Sequence, residues 1–183
     1  MSQKYKFLNQ EGLYFVSFST VFWIDVFTRT EYRDILISSF KFCQKEKDLN
    51  IYAYCIMTNH VHLIISTRER PLSDIFRDMK QFTAKRILKA IDENPQESRK
   101  KWMLNSFGYA GRNNSSNEIY QFWQHSNHPI EITDAKMMRQ KLDYIHDNPV
   151  VAGFVQYPQD WLYSSAKNYL TDELPVLEVI LLE

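Results

Sequence analysis

The order in which hydrophobic periodicity changes along this chain is the strongest constraint on what it can fold into. Residues 13–20 are aromatic and β-branched with partial alternation, the pattern of a strand. Over residues 31–47 the apolar positions Ile35, Leu36, Phe40 and Cys43 recur at helical spacing, with charges on the other face. Residues 51–57 form a second expected strand, Thr58 and Asn59 offer a turn, and residues 61–66 alternate as a third. Pro71 suits a helix start, and Leu72, Ile75, Phe76, Met79, Phe82, Ile87 and Leu88 carry a second amphipathic helix to residue 91. Ile119, Tyr120, Phe122 and Trp123 mark a fourth strand within residues 118–132. Thr133 can then cap a helix over residues 134–146, which is expected to stop before Pro149. The resulting order predicts an α+β, ferredoxin-like split βαβ fold: an antiparallel sheet with two helices on one face, plus a C-terminal helix carrying Tyr144. Many unrelated activities share that fold, so it names no function.

Residues 1–183 are expected to form one domain, with its core over residues 12–169. Residues 94–117 lack strong periodicity and hold Gly108, Gly111 and an Asn/Ser run, so a loop insertion is expected there. A short helical segment is expected from residue 160, followed by an apolar strand or helix over residues 176–182. Hydrophobic residues at 44% and charged residues at 24% are the composition of a globular protein rather than a disordered one. No apolar run is long enough to cross a bilayer. The first seven residues lack the apolar core of a signal peptide. Cys43 and Cys55 sit among apolar neighbours, as buried thiols do, and a cytoplasmic location is expected.

Bulk charge gives no hint of a nucleic-acid partner, because Lys+Arg and Asp+Glu both number 22. Cations do gather between residues 77 and 101, where Arg77, Lys80, Lys85 and Arg86 are candidate DNA contacts. A solvated helix face would give the same pattern.

Two short segments carry chemistry. In Asn59-His60-Val61-His62-Leu63, two histidines flank one apolar residue on an expected strand. The side-chain period there is two, so both imidazoles leave the same face and can share one divalent ion while Val61 enters the core. A pair of surface histidines would look the same. In Tyr144-Ile145-His146-Asp147-Asn148-Pro149-Val150, Tyr144 and Asn148 lie four residues apart on one side of a helix whose apolar stripe is Met138, Leu142 and Ile145. A phenol that can attack and an amide oxygen that can ligate a metal would then be neighbours. With 11 tyrosines in the chain, packing at a core edge is the ordinary role for any one of them.

Paired histidines on a central strand, followed much later by a tyrosine on a helix, resemble the HUH single-tyrosine transposases. The REP-associated tyrosine transposases are the nearer resemblance, through the Tyr144–Val150 motif above and Phe122-Trp123-Gln124 ahead of it. Asp160-Trp161-Leu162-Tyr163-Ser164-Ser165-Ala166 resembles their C-terminal signature, and the resemblance spans residues 12–169. One departure is Val151, where the family often has a basic residue. Another is the histidine pair His125 and His128, which suits either a DNA contact or a surface loop. The resemblance implies Tyr144 as nucleophile and His60, His62 and Asn148 around Mg²⁺ or Mn²⁺. It implies single-stranded or hairpin DNA as partner, with Trp123 and His125 as further DNA contacts, a homodimer as one possible assembly, and no membrane. Cleavage would pass through a 5′-phosphotyrosine, leaving a 3′-hydroxyl. A non-cleaving hairpin-binding module and a water-activating metal nuclease are the alternative readings. A replication initiator or relaxase on the same core is a further one, disfavoured by the short chain and the lack of a helicase motif.

Overall fold

The computed structural model of the chain describes residues 7–113, 119–125 and 127–182. Its elements are β1 (Tyr14–Ser19), α1 (Thr30–Glu46), β2 (Leu49–Ile56), β3 (His60–Thr67), α2 (Leu72–Glu93), α3 (Lys100–Arg112), β4 (Ile130–Glu131), α4 (Ala135–Val151) and α5 (Ala166–Leu170). The four strands are antiparallel in the order β2-β3-β1-β4, the split βαβ arrangement expected from the periodicities. β3 is central, with Ser17 opposite His62 and Ser19 opposite His60 on β1.

Strand alternation sorts side chains between two cores. Val16, Phe18, Val61, Leu63 and Ile65 face α1 and α2, burying against Leu36, Phe40, Phe76 and Met79. Phe15, Ala53, Cys55 and Ile64 face the other way, against Ile145 and Leu142 of α4. His60 and His62 share the parity of Ile64, so the strand period alone carries them to the α4 side. An irregularity between Ile51 and Ala53 inserts Tyr52 into β2 and returns Tyr54 to the α1/α2 side.

Several expectations need correction. The expected insertion contains helix α3: Met103, Phe107 and Ala110 recur at helical spacing and are buried. Gly111 is there for closeness, since a Cβ on it would lie 2.5 Å from the Ile119 carbonyl oxygen. Residues 114–118, which include most of the Asn/Ser run and the start of the expected fourth strand, lie outside the described residues. β4 itself is only Ile130–Glu131, while Trp123 makes a lone bridge to Thr20 and Phe122 packs in the core. Lastly, α4 runs through Pro149 to Val151. The ring removes one N–H near the helix end, yet the Ala152 N–H still reaches the Asn148 carbonyl at 3.0 Å and the Phe154 N–H reaches that of Pro149 at 2.9 Å. Its cap is Asp134 rather than Thr133, the carboxylate accepting from the Met137 N–H at 2.8 Å.

The C-terminal segment covers the exposed edge of β2. The Ile56 N–H donates to the Tyr163 carbonyl at 2.9 Å, the Ser165 N–H to that of Tyr54 at 2.9 Å, and Trp161 Nε1 to that of Ile56 at 3.0 Å. The expected terminal strand or helix is neither; residues 176–182 are irregular, with the Ile180 N–H donating to the Ile51 carbonyl. Cys43 and Cys55 are both free and buried. Among the described residues no helix is long and apolar enough to cross a membrane.

Candidate active site

β3 and α4 meet around His60, His62, Tyr144 and Asn148. The ring centroids of His60 and His62 are 4.8 Å apart, and that of Tyr144 lies 5.1 Å from His62, edge-on. Asn148 sits one turn beyond Tyr144 with Nδ2 3.5 Å from His62 Nε2. All four belong to one chain, so no second copy is needed to bring the phenol to the histidines. Tyr144 is half exposed.

Each histidine is held differently. His60 Nδ1 lies 2.7 Å from Asn59 Oδ1, and the Asn59 amide is oriented by donating to the Trp23 carbonyl at 3.2 Å and to Asp25 Oδ1 at 3.0 Å. With Oδ1 as acceptor, Nδ1 carries the proton and Nε2 keeps its lone pair. His62 stacks on Phe15 at 5.5 Å and is almost wholly buried. Its Nδ1 has no hydrogen-bond partner, and Nε2 has only Asn148 at the limit of bonding distance. Burial, then the nearby His60 and Lys141, push the His62 pKa down to about 3. Burial also lowers that of His60, against the opposing pull of Asn148 and Asp25. Both imidazoles are therefore neutral at pH 7, the form that ligates a metal.

A divalent ion fits this donor set. His62 Nε2 meets only the rotatable Asn148 amide, at 3.5 Å, and His60 keeps a lone pair on Nε2, so two neutral imidazoles and an amide oxygen are available as ligands. Among the described residues no group of three His, Cys, Asp or Glu side chains could hold a metal; beside the two histidines, Asn148 offers an amide oxygen.

Sequence reasoning missed four supporting residues. Lys141 lies one turn before Tyr144, with Nζ 4.7 Å above the Phe15 ring; the helical spacing Lys141-Tyr144-Asn148 was the available signal. Phe15, Asn59 and Asp25 come together only through tertiary structure. His146, inside the tyrosine motif, points away from the site. It is buried, with Nε2 2.9 Å from Ser165 Oγ, and so locks α4 to the C-terminal segment.

The expected DNA contacts fare unevenly. Trp123 is 6% exposed and its Nε1 donates to Thr83 Oγ1, so no ring face is open to a base. Lys80 Nζ donates to the Gln124 carbonyl at 2.8 Å and to Asn127 Oδ1 at 2.5 Å, and burial lowers its pKa to about 7. Both are structural groups. Arg77 is exposed but paired with Asp74 and Asp78. Lys85 and Arg86 are exposed on α2, across the sheet from the histidines. His125 is exposed in the loop before β4.

Comparison with known proteins identifies the family. The family model described as IS200-like transposase matches residues 22–120, more than half of the chain, and takes in both histidines though not the tyrosine helix. A Haemophilus influenzae protein described as a REP-associated tyrosine transposase is 29% identical over 141 residues, covering 74% of this chain and 69% of its own length. The solved structure of a REP-associated tyrosine transposase bound to a REP hairpin superposes with a TM-score of 0.66 at 18% identity, covering 98% of this chain and 92% of that one. At that identity the structural likeness speaks for the fold. The family match, over residues that include His60 and His62, places this chain among the IS200-like transposases.

Proposed function

We propose that this transposase is a metal-dependent single-stranded DNA endonuclease and strand transferase, acting on hairpin-forming ends with Tyr144 as its nucleophile. The observation that carries this reading is the meeting, within one chain, of a half-exposed tyrosine with two neutral histidines on a central strand. The hairpin substrate is supported by the fold shared with the hairpin-bound relative.

His60 and His62, with Asn148, would hold a divalent ion, Mg²⁺ or Mn²⁺, which when bound would polarise the scissile phosphodiester. Tyr144 Oη would attack phosphorus as its proton leaves. The Oη–P bond forms, the P–O3′ bond breaks, and the departing oxygen takes up a proton to become a 3′-hydroxyl. The 5′-phosphotyrosine keeps the energy of the broken ester, so an incoming 3′-hydroxyl can reverse the step and join a new strand without ATP. Phe15 and His62 brace the tyrosine ring edge-on, which holds the nucleophile in place before substrate arrives. Lys141, beside them, is a cation suited to a phosphate.

The test is cleavage of a labelled hairpin oligonucleotide in Mn²⁺ by the wild type, Tyr144→Phe and His62→Ala. The reading expects both variants to fold and neither to cut. Undiminished cutting by Tyr144→Phe would favour a water-activating nuclease instead.

A further inference from the structure

Phe22 and Trp23 lie in the turn after β1, Trp23 beside the candidate metal ligand His60, and their rings have no role described above. Each is 57% exposed, and each sits in the left-handed region, with φ of 56° and 54°. Bulky side chains rarely adopt that conformation singly, and here two do so in succession. The surroundings impose it. Val21 and Ile24 on either side are buried, the Val21 N–H donates to the Phe122 carbonyl at 2.9 Å, and Thr20 Oγ1 donates to the Ile24 carbonyl at 2.9 Å. Anchoring both flanks inward drives the two intervening rings outward.

The rings are aligned with the site. Trp23 stands edge-on to His60 at 6.0 Å, while Phe22 lies 6.3 Å from Tyr109, itself 58% exposed. Asn59 ties the two sites together, since its amide meets the Trp23 carbonyl on one side and His60 Nδ1 on the other. The neighbouring Asp25 carboxylate is engaged by Thr58 and Asn59. Two consecutive exposed, uncharged rings beside the candidate metal ligands suit base faces, which every nucleotide has, rather than phosphates.

We propose that Phe22 and Trp23 form a stacking subsite for unpaired bases of the DNA strand next to the scissile phosphate. This rests on the DNA-cleaving reading above and assigns a contact within it: each ring strengthens binding of a hairpin with a single-stranded extension and leaves a blunt one unaffected.

The experiment measures fluorescence anisotropy in Mn²⁺ with a blunt hairpin and with the same hairpin carrying a short oligothymidylate extension on either side. Phe22→Gly and Trp23→Gly are made on a Tyr144→Phe chain so that no probe is cut. The chain with both rings should bind an extended probe more tightly than the blunt one. Each glycine variant should lose about tenfold on the extended probe and nothing on the blunt one. Its Tm should be unchanged or higher, because glycine accepts a left-handed backbone freely. Equal binding of both probes by the intact rings would overturn the subsite, as would equal losses on both probes. A dimer that becomes monomeric on Trp23→Gly would instead mark a protein interface and would also overturn it. Failure of the chain with Tyr144 intact to cleave in Mn²⁺ would count against the active-site reading alone, because probe binding tests the rings separately.

Discussion

Replacing Glu97 should weaken both the fold and the support beneath His60. Its carboxylate is buried between Arg29 Nε at 2.8 Å and Arg99, whose Nε and Nη2 each lie 3.0 Å away. The Tyr32 hydroxyl and the Arg99 N–H also donate to it. Arg99 in turn donates to the Asp25 carbonyl at 2.7 Å and to Thr28, binding the start of α3 to the turn before α1. Burial alone would raise the Glu97 pKa, but the Arg99 and Arg29 guanidinium groups outweigh it and hold the carboxyl down to about 2. Against an ordinary value of 4.5, that shift corresponds to about 3 kcal/mol. Both arginines are about a third exposed and water screens them, so about 2 kcal/mol is the figure to expect. The sign follows from the depressed folded-state pKa: the stabilisation is complete above the unfolded value and is lost as pH falls through the folded one. Urea denaturation of Glu97→Gln should therefore show a deficit of about 2 kcal/mol at pH 7, more than half of it gone by about pH 3. A deficit below about 0.5 kcal/mol at pH 7, or one that does not change with pH, would refute the reasoning.

His146→Leu should cost about 0.5–1.5 kcal/mol, measured by thermal unfolding, because it removes the hydrogen bond that ties α4 to the C-terminal segment while the Ser165 hydroxyl keeps the Tyr54 N–H and carbonyl. Gly111→Ala should destabilise by about 1–3 kcal/mol, since the added methyl meets backbone at Ile119 rather than a side chain that can move aside; an unchanged Tm would deny that contact. For the metal, calorimetric titration with Mn²⁺ should show His60→Ala losing binding. Asn59→Ala, which frees the His60 ring without removing a ligand, should weaken it about 10–100-fold. Equal affinity in Asn59→Ala and wild type would remove Asn59 from that role.

Local pattern made β1, β2, β3, α1 and α2 legible, because the helices repeat at three to four residues along one buried face and the strands are short apolar runs whose period of two sends alternate side chains to two cores. The histidine pair was legible for the same reason. What escaped was set by contacts distant in sequence. Gly108 and Gly111 read as helix breakers, yet they are the surface on which Ile119 and Tyr120 pack. Trp123 reads as a strand residue and a DNA contact, but it fills the space beneath Phe18 and Phe27. Lys80 reads as a phosphate contact because its sequence neighbours are cationic, whereas the loop at Gln124 and Asn127 claims it. The Asp25-Asn59-His60 chain of hydrogen bonds spans two segments and left no local pattern.

The central claim is that Tyr144 becomes bonded to DNA. The direct measurement is peptide mass spectrometry after incubation with a hairpin oligonucleotide and Mn²⁺, followed by protease and nuclease digestion. With 11 tyrosines in the chain, the modified residue must be located, not merely detected. A single modified peptide with a 5′-nucleotide phosphate on Tyr144, absent from Tyr144→Phe, is the predicted result. Cleaved DNA bearing a free 5′-phosphate with every tyrosine unmodified, or a phosphate on a different tyrosine, would contradict it.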